Sequence, residues 1–194
     1  MNNINVNDIL QHADSLQYED PEHTYHRSYR HFVNYFSDKN EFTEQDLIIG
    51  ANFTYGWMPT IMNFKSNNFD ESLKILNKAR LPERISSNEI LILKSLINNS
   101  LVGVSKLLHF INPKVYAIWD SRVCYFLLGK SHKYIIGKVD VYWQYLDLCQ
   151  RVSAELDFKA IHSKFESSVN YEVSALRVVE QLMFVNSNMT IAKL

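Results

Sequence analysis

The chain has 194 residues, 46% of them apolar and 21% charged, with a formal net charge of −1. A chain of this length buries about 70% of the surface it exposes when unfolded, so it needs no disulfide or metal to hold it together. The ordinary composition excludes a disordered or fibrous protein, and near-neutrality excludes attachment to polyanions through bulk charge.

The first ten residues, MNNINVNDIL, lack the basic start and apolar stretch of a secretion signal. No apolar run approaches the roughly 20 residues of a membrane span, so a cytoplasmic protein with no membrane partner is expected. Residues 22–37 place Tyr25, Tyr29, Phe32, Val33 and Phe36 on one helical stripe. Thr43 with Asp46 reads as a helix start, continued by Leu47, Ile48 and Ala51. Asp70 can cap a helix through Ala79 that Pro82 prevents from running further. Ser87 can cap the next, where Ile90, Leu91, Ile92, Leu93, Leu96 and Ile97 are apolar on nearly every side, as in a helix buried mid-domain. A second apolar helix is expected over Ser105–Ile111, closed by Pro113. Further helices fit Ser121–Leu128, Val139–Glu155 and Tyr171–Phe184. The stretch 129–138, with Gly129 and Gly137, reads as loop with room for a short strand at Tyr134–Ile136. The fold class is all-α: one compact domain over residues 1–194, of about 8–10 helices, with room for two helical lobes meeting near residues 100–120.

Charge is unevenly spread along these elements. Residues 1–50 carry nine acidic and three basic side chains, whereas residues 101–139 hold Lys106, Lys114, Arg122, Lys130, Lys133 and Lys138 against Asp120 alone. Affinity for a phosphate backbone depends on such a local excess and not on the total; the alternative is a solvated basic face. Cys124 and Cys149 are too few for a disulfide framework or a metal cluster and read as small core residues. His23, His26 and His31 lack metal-binding spacing, so neither a metal nor a cofactor is expected.

The segment Asn98-Asn-Ser-Leu-Val-Gly-Val-Ser-Lys106 reads as the turn of a helical hairpin, about residues 88–112, with Gly103 in the turn. Open amides of Gly103, Val104 and Ser105 at a helix start would suit a phosphate, and Arg122 is assigned to the same backbone contact.

The run Leu101-Val-Gly-Val-Ser-Lys-Leu-Leu108, followed by Ile118-Trp-Asp-Ser-Arg-Val123, resembles the helix-hairpin-helix DNA glycosylases. Ser105-Lys-Leu-Leu-His-Phe-Ile-Asn-Pro113 and Tyr55-Gly-Trp-Met-Pro-Thr60 are more closely similar to a bacterial branch related to 8-oxoguanine glycosylase. The resemblance implies a DNA partner and excision of a damaged or modified base, with Schiff-base lyase activity as a second capacity. It assigns the catalytic lysine to Lys106 and the catalytic aspartate to Asp120.

The chemistry fits these residue types. An ionised carboxylate beside C1′ stabilises the positive charge that builds on the sugar, and a deprotonated lysine amine can attack C1′. Asp120 can equally be an N-cap for the Ser121–Leu128 helix, and Lys106 a phosphate-binding or solvated lysine. A base taken out of a duplex must lie between flat side chains, for which Tyr55, Trp57, Trp119 and His109 are candidates; each also fits core packing. The second reading of the whole chain is a non-catalytic hairpin module that binds nucleic acid or a protein.

Overall fold

The computed structural model describes residues 4–18, 24–58 and 60–187. Among the described residues every regular element is helical: eleven α-helices and one 3₁₀ helix, with a single isolated β-bridge between Phe64 and Ile97. The all-α class holds, with more helices than the periodicity suggested because two are only four residues long.

α1 (Asn7–Leu10) and the 3₁₀ helix (Ala13–Tyr18) come first, followed by α2 (Thr24–Ser37) and α3 (Glu44–Trp57). The expected start of α3 is a full capping box. The Thr43 hydroxyl accepts from the Asp46 amide, and the Asp46 carboxylate accepts from the Thr43 amide at 2.8 Å. Each bond satisfies an amide that the first turn leaves open. α4 (Phe69–Ala79) begins after Asn68, so Asp70 lies in its first turn, where its charge meets the positive end of the helix dipole. α5 (Ser87–Leu96) is capped by Ser86 with Glu89, one residue before the expected Ser87.

The largest shift is at α6 (Leu101–Ile111), expected to start at Ser105. Ser100 accepts the Gly103 amide at 3.1 Å and starts the helix four residues sooner. α7 (Ser121–Leu128) has its expected limits, with Asp120 as N-cap and Gly129 at φ 63 as the left-handed stop. The segment behind it contains no strand: Lys133–Ile136 forms the short α8. α9 (Val139–Ser153) follows, then α10 (Phe158–Val169), which the sequence reading omitted although Phe158, Phe165 and Val169 share a buried face. α11 (Ala175–Val185) begins at a Ser174 cap and not at Tyr171.

The chain divides into two compact units, one of Pro21–Ile118 and one joining Met1–Asp20 to Trp119–Leu194. In the first, α6 packs against α2, α3, α4 and α5, burying Leu101, Val104, Leu107, Leu108 and Phe110. Phe32 and Phe53 stack there with centroids 4.3 Å apart, and Phe110 meets both edge-on. Phe53 is thus committed to the core. In the second unit α11 has the corresponding place, packed on α7, α9, α10 and the 3₁₀ helix.

The α3 cap also has an acid-dependent consequence. Asp46 is buried, which pushes its pKa up, but hydrogen bonds from Lys39, Thr43 and Tyr35 outweigh burial and hold the carboxyl well below the usual range. Lys39 Nζ and the Tyr35 hydroxyl each lie 2.8 Å from Oδ1. A carboxylate with a depressed folded pKa adds stability above its unfolded value, about 3.9, and that stability is lost as pH falls toward the folded value. Asp46→Asn is therefore expected to unfold less steeply between about pH 4 and pH 2 than the native chain when followed by circular dichroism. Superimposable acid limbs would contradict this.

Candidate functional site

The connection between α5 and α6 is built by asparagines. Asn98 and Asn99 adopt φ of 49° and 51°, a left-handed conformation asparagine tolerates better than most residues. Residues 61–65 clasp the turn: the Asn98 side chain accepts the Asn63 amide at 2.7 Å and donates to the Ile61 carbonyl at 2.9 Å. The Lys65 amide donates to the Leu96 carbonyl at 2.9 Å.

Gly103, expected in the turn, lies inside the first turn of α6 and faces Tyr55. A Cβ there would sit 2.7 Å from the Tyr55 ring carbons Cε2 and Cζ, closer than any tolerated contact. The glycine makes room for a buried ring. The phosphate cradle expected of Gly103, Val104 and Ser105 does not form, because the earlier helix start closes their amides into the helix. The Gly103 amide goes to the Ser100 hydroxyl, the Val104 amide to the Ser100 carbonyl at 3.1 Å, and the Ser105 hydroxyl to the Val102 carbonyl at 2.9 Å. All three residues are buried.

In α6 only Val102 and Lys106 remain part-exposed. Lys106 Nζ lies 5.2 Å from the centroid of the Trp57 ring, a cation–π distance. Trp57 in turn meets Phe110 edge-on at 5.3 Å and Tyr25 at 5.4 Å. The structure thus brings together Lys106 and Trp57, and adds Tyr25, which its place on the α2 stripe had marked only as core.

Three base-pocket candidates are corrected. Tyr55 is buried, its hydroxyl 3.4 Å from the Ile97 carbonyl, and burial raises its pKa, partly offset by the Ser100 hydroxyl. His109 is a satisfied core histidine. Its Nδ1 lies 2.7 Å from the Tyr116 carbonyl and its Nε2 2.8 Å from the Tyr29 hydroxyl. A carbonyl can only accept, so Nδ1 carries the proton and Nε2 accepts from Tyr29. Trp119 is fully buried, donates its indole N–H to the Ile136 carbonyl at 3.0 Å, and packs 4.9 Å from Tyr145. Each correction has one cause: the side chain's polar atom is used inside its own unit.

Asp120 is 8% exposed, and its Oδ1 accepts the amides of Arg122 and Val123, each at 3.0 Å. The N-cap reading of Asp120 is therefore correct. Its charge, after burial, helps push the neighbouring Cys124 thiol up to about 11. The Arg122 guanidinium lies over the Phe184 ring at 4.6 Å. Lys106 belongs to the Pro21–Ile118 unit, and Trp119, Asp120 and Arg122 to the other.

No group of three or more His, Cys, Asp or Glu among the described residues could hold a metal ion. His26 is buried and His31 exposed, while His23 lies outside the described residues. No helix among the described residues is long and apolar enough to cross a membrane. Compared with known proteins, the chain matches no family model, no curated sequence and no solved structure.

Proposed function

We propose that the chain is a DNA glycosylase that excises a damaged or modified base, with Lys106 as nucleophile and Asp120 as the carboxylate that stabilises charge on the sugar. The supporting observation is that the one lysine of the largely buried α6 rests against the flat face of Trp57. A base taken out of its stack is held on flat side chains, and a base on Trp57 would bring its sugar within reach of the Lys106 amine. The nucleophile is the neutral amine, so Lys106 gives a proton to solvent and turns off the Trp57 ring before it attacks. The Lys106 lone pair then forms a bond to C1′ while the N-glycosidic bond breaks; its electrons leave with the base, which takes up a proton. The attached nitrogen then loses a proton and its lone pair forms the C=N bond as C1′–O4′ breaks, with O4′ taking up a proton; the resulting Schiff base is the species from which strand cleavage can follow. Capping does not compete with the role of Asp120: both amides bond to Oδ1 and orient the carboxylate, while the proposed role uses its negative charge.

The second reading, a non-catalytic module binding nucleic acid or a protein, is favoured by the completeness of the Asp120 cap, which accounts for that residue without chemistry. Oligonucleotides carrying 8-oxoguanine, uracil or hypermodified cytosine, with borohydride to trap an imine, separate the two. A covalent adduct is expected with the native chain and not with Lys106→Ala. Asp120→Asn keeps an equally good N-cap but removes the charge, so base release is expected to fall about 100-fold while the melting temperature holds. Asp120→Ala loses the cap as well, at about 1 kcal/mol of stability. Absence of base release from every substrate leaves the binding module as the function.

A further inference from the structure

The segment Gly129–Lys138 lies in the unit that joins Met1–Asp20 to Trp119–Leu194, and none of its residues is assigned a role by the Lys106 and Asp120 chemistry. Its backbone is pinned at four points. Gly129 closes α7, its amide bonded to the Tyr125 carbonyl at 2.8 Å. The Lys130 carbonyl accepts the Cys124 thiol at 3.3 Å, the Ile136 carbonyl accepts the buried Trp119 indole, and Lys138 is the N-cap residue of α9. Ile135 and Ile136 turn partly inward.

The side chains between these anchors point the other way. Lys130, His132, Lys133 and Lys138 are exposed, and Tyr134 is 75% exposed. Lys138 Nζ lies over the Tyr134 ring, 4.3 Å from its centroid. No acidic residue occurs from 121 to 139, and the next one, Asp140, sits in the first turn of α9. The ring buries little, and every charged side chain of the segment is basic, so Tyr134 and the lysines present an aromatic and cationic surface to solvent.

We propose that Gly129–Lys138 is a docking surface for an unpaired nucleic-acid strand, with Lys130, Lys133 and Lys138 on successive phosphates and a base stacked on Tyr134. Phosphate contacts by lysines carry no sequence information, and stacking on a tyrosine tolerates every base, so the surface holds a strand irrespective of its sequence. A duplex satisfies the lysines but offers no free base face to the ring. Anchoring of the backbone means that little ordering is needed on binding. The surface goes beyond the proposed base excision, would serve either reading of the chain, and stands or falls separately from that chemistry.

The test is fluorescence anisotropy of the full chain with a labelled 12-mer of thymidine and with a duplex of equal length, from about 50 to 200 mM salt. Replacing Lys130, Lys133 and Lys138 together by Ala removes three phosphate contacts. With the single strand, the native chain is then expected to lose about 20-fold more affinity over that salt range than the triple variant. Tyr134→Ala is expected to weaken the single strand about tenfold and leave the duplex unchanged. All four side chains are exposed, so unchanged melting curves confirm that the variants fold. Equal salt slopes for native and triple variant, or an equal effect of Tyr134→Ala on both nucleic acids, overturn the proposal. Base release with an unchanged salt slope would sink this surface alone, and a lowered slope without base release would sink only the glycosylase chemistry.

Discussion

Glu180→Ala is expected to be strongly destabilising, costing about 3–5 kcal/mol. Glu180 lies in α11, 1% exposed, where the helix packs on α7 and α9. Its Oε2 accepts from the Arg177 guanidinium one turn earlier and from the Gln181 amide at 3.1 Å. Arg177 is itself buried. Removing the carboxylate takes from a buried guanidinium the counter-charge that Glu180 supplies, and the desolvation this leaves uncompensated, not the lost bond, dominates the cost. The buried Tyr145 shares this environment: burial first, with the Glu180 carboxylate adding to it, raises its hydroxyl well above its ordinary pKa. A melting temperature lower by about 10 °C is the expected readout for a domain of this size. The double change Arg177→Met with Glu180→Leu removes both charges and keeps the volume, so most of that loss should be recovered. Equal stability of the single and double variants would show that the pair is not the cause.

Gly103→Ala distinguishes two roles for this glycine by the sign of its effect. Within a helix, alanine is favoured over glycine by about 1 kcal/mol, so an unobstructed substitution would stabilise. Here the new methyl meets the Tyr55 ring at 2.7 Å, and the ring is rigid, buried and bonded to the Ile97 carbonyl. Overpacking of this kind costs about 1–3 kcal/mol, which outweighs the propensity gain. Urea unfolding without DNA should therefore show a loss of stability. Tyr55→Leu in the same chain should relieve it, with a coupling of at least about 0.5 kcal/mol in a double-mutant cycle. A Gly103→Ala variant that unfolds like the native chain yet binds DNA less well would return the glycine to the phosphate role expected from its sequence context.

These two positions also mark how far the sequence can be read. Thr43 with Asp46, and Asp120 ahead of Ser121–Leu128, were legible because a cap joins residues two or three apart and its chemistry is local. The start of α6 was misplaced for a reason equally local: Gly103 was given to the turn, and the left-handed pair Asn98-Asn99, with Ser100 as cap, was passed over. Tyr134–Ile136 reads as strand by its β-branched and aromatic residues, yet so short a segment cannot pair without a partner strand, and the four residues Lys133–Ile136 close one helical turn. Of the site, Lys106 and Asp120 were identifiable as residues but their surroundings were not. Trp57 reaches Lys106 from 49 positions away, and Tyr29 reaches His109 from 80.

What the sequence determined by itself is the helical class, through apolar spacing near 3.6, most helix limits, through caps and glycine stops, and the unequal distribution of charge that isolates Asp120 among basic residues. Only the tertiary structure decided which polar groups remain available for chemistry. Val104, Ser105, His109 and Trp119 look alike in sequence to residues that could line a site, but packing places each against a partner in its own unit. Burial depends on residues brought together from distant parts of the chain, and a polar atom once buried must be satisfied where it lies. Lys106 and the lysines of Gly129–Lys138 kept their exposure, and with it their capacity to meet a ligand.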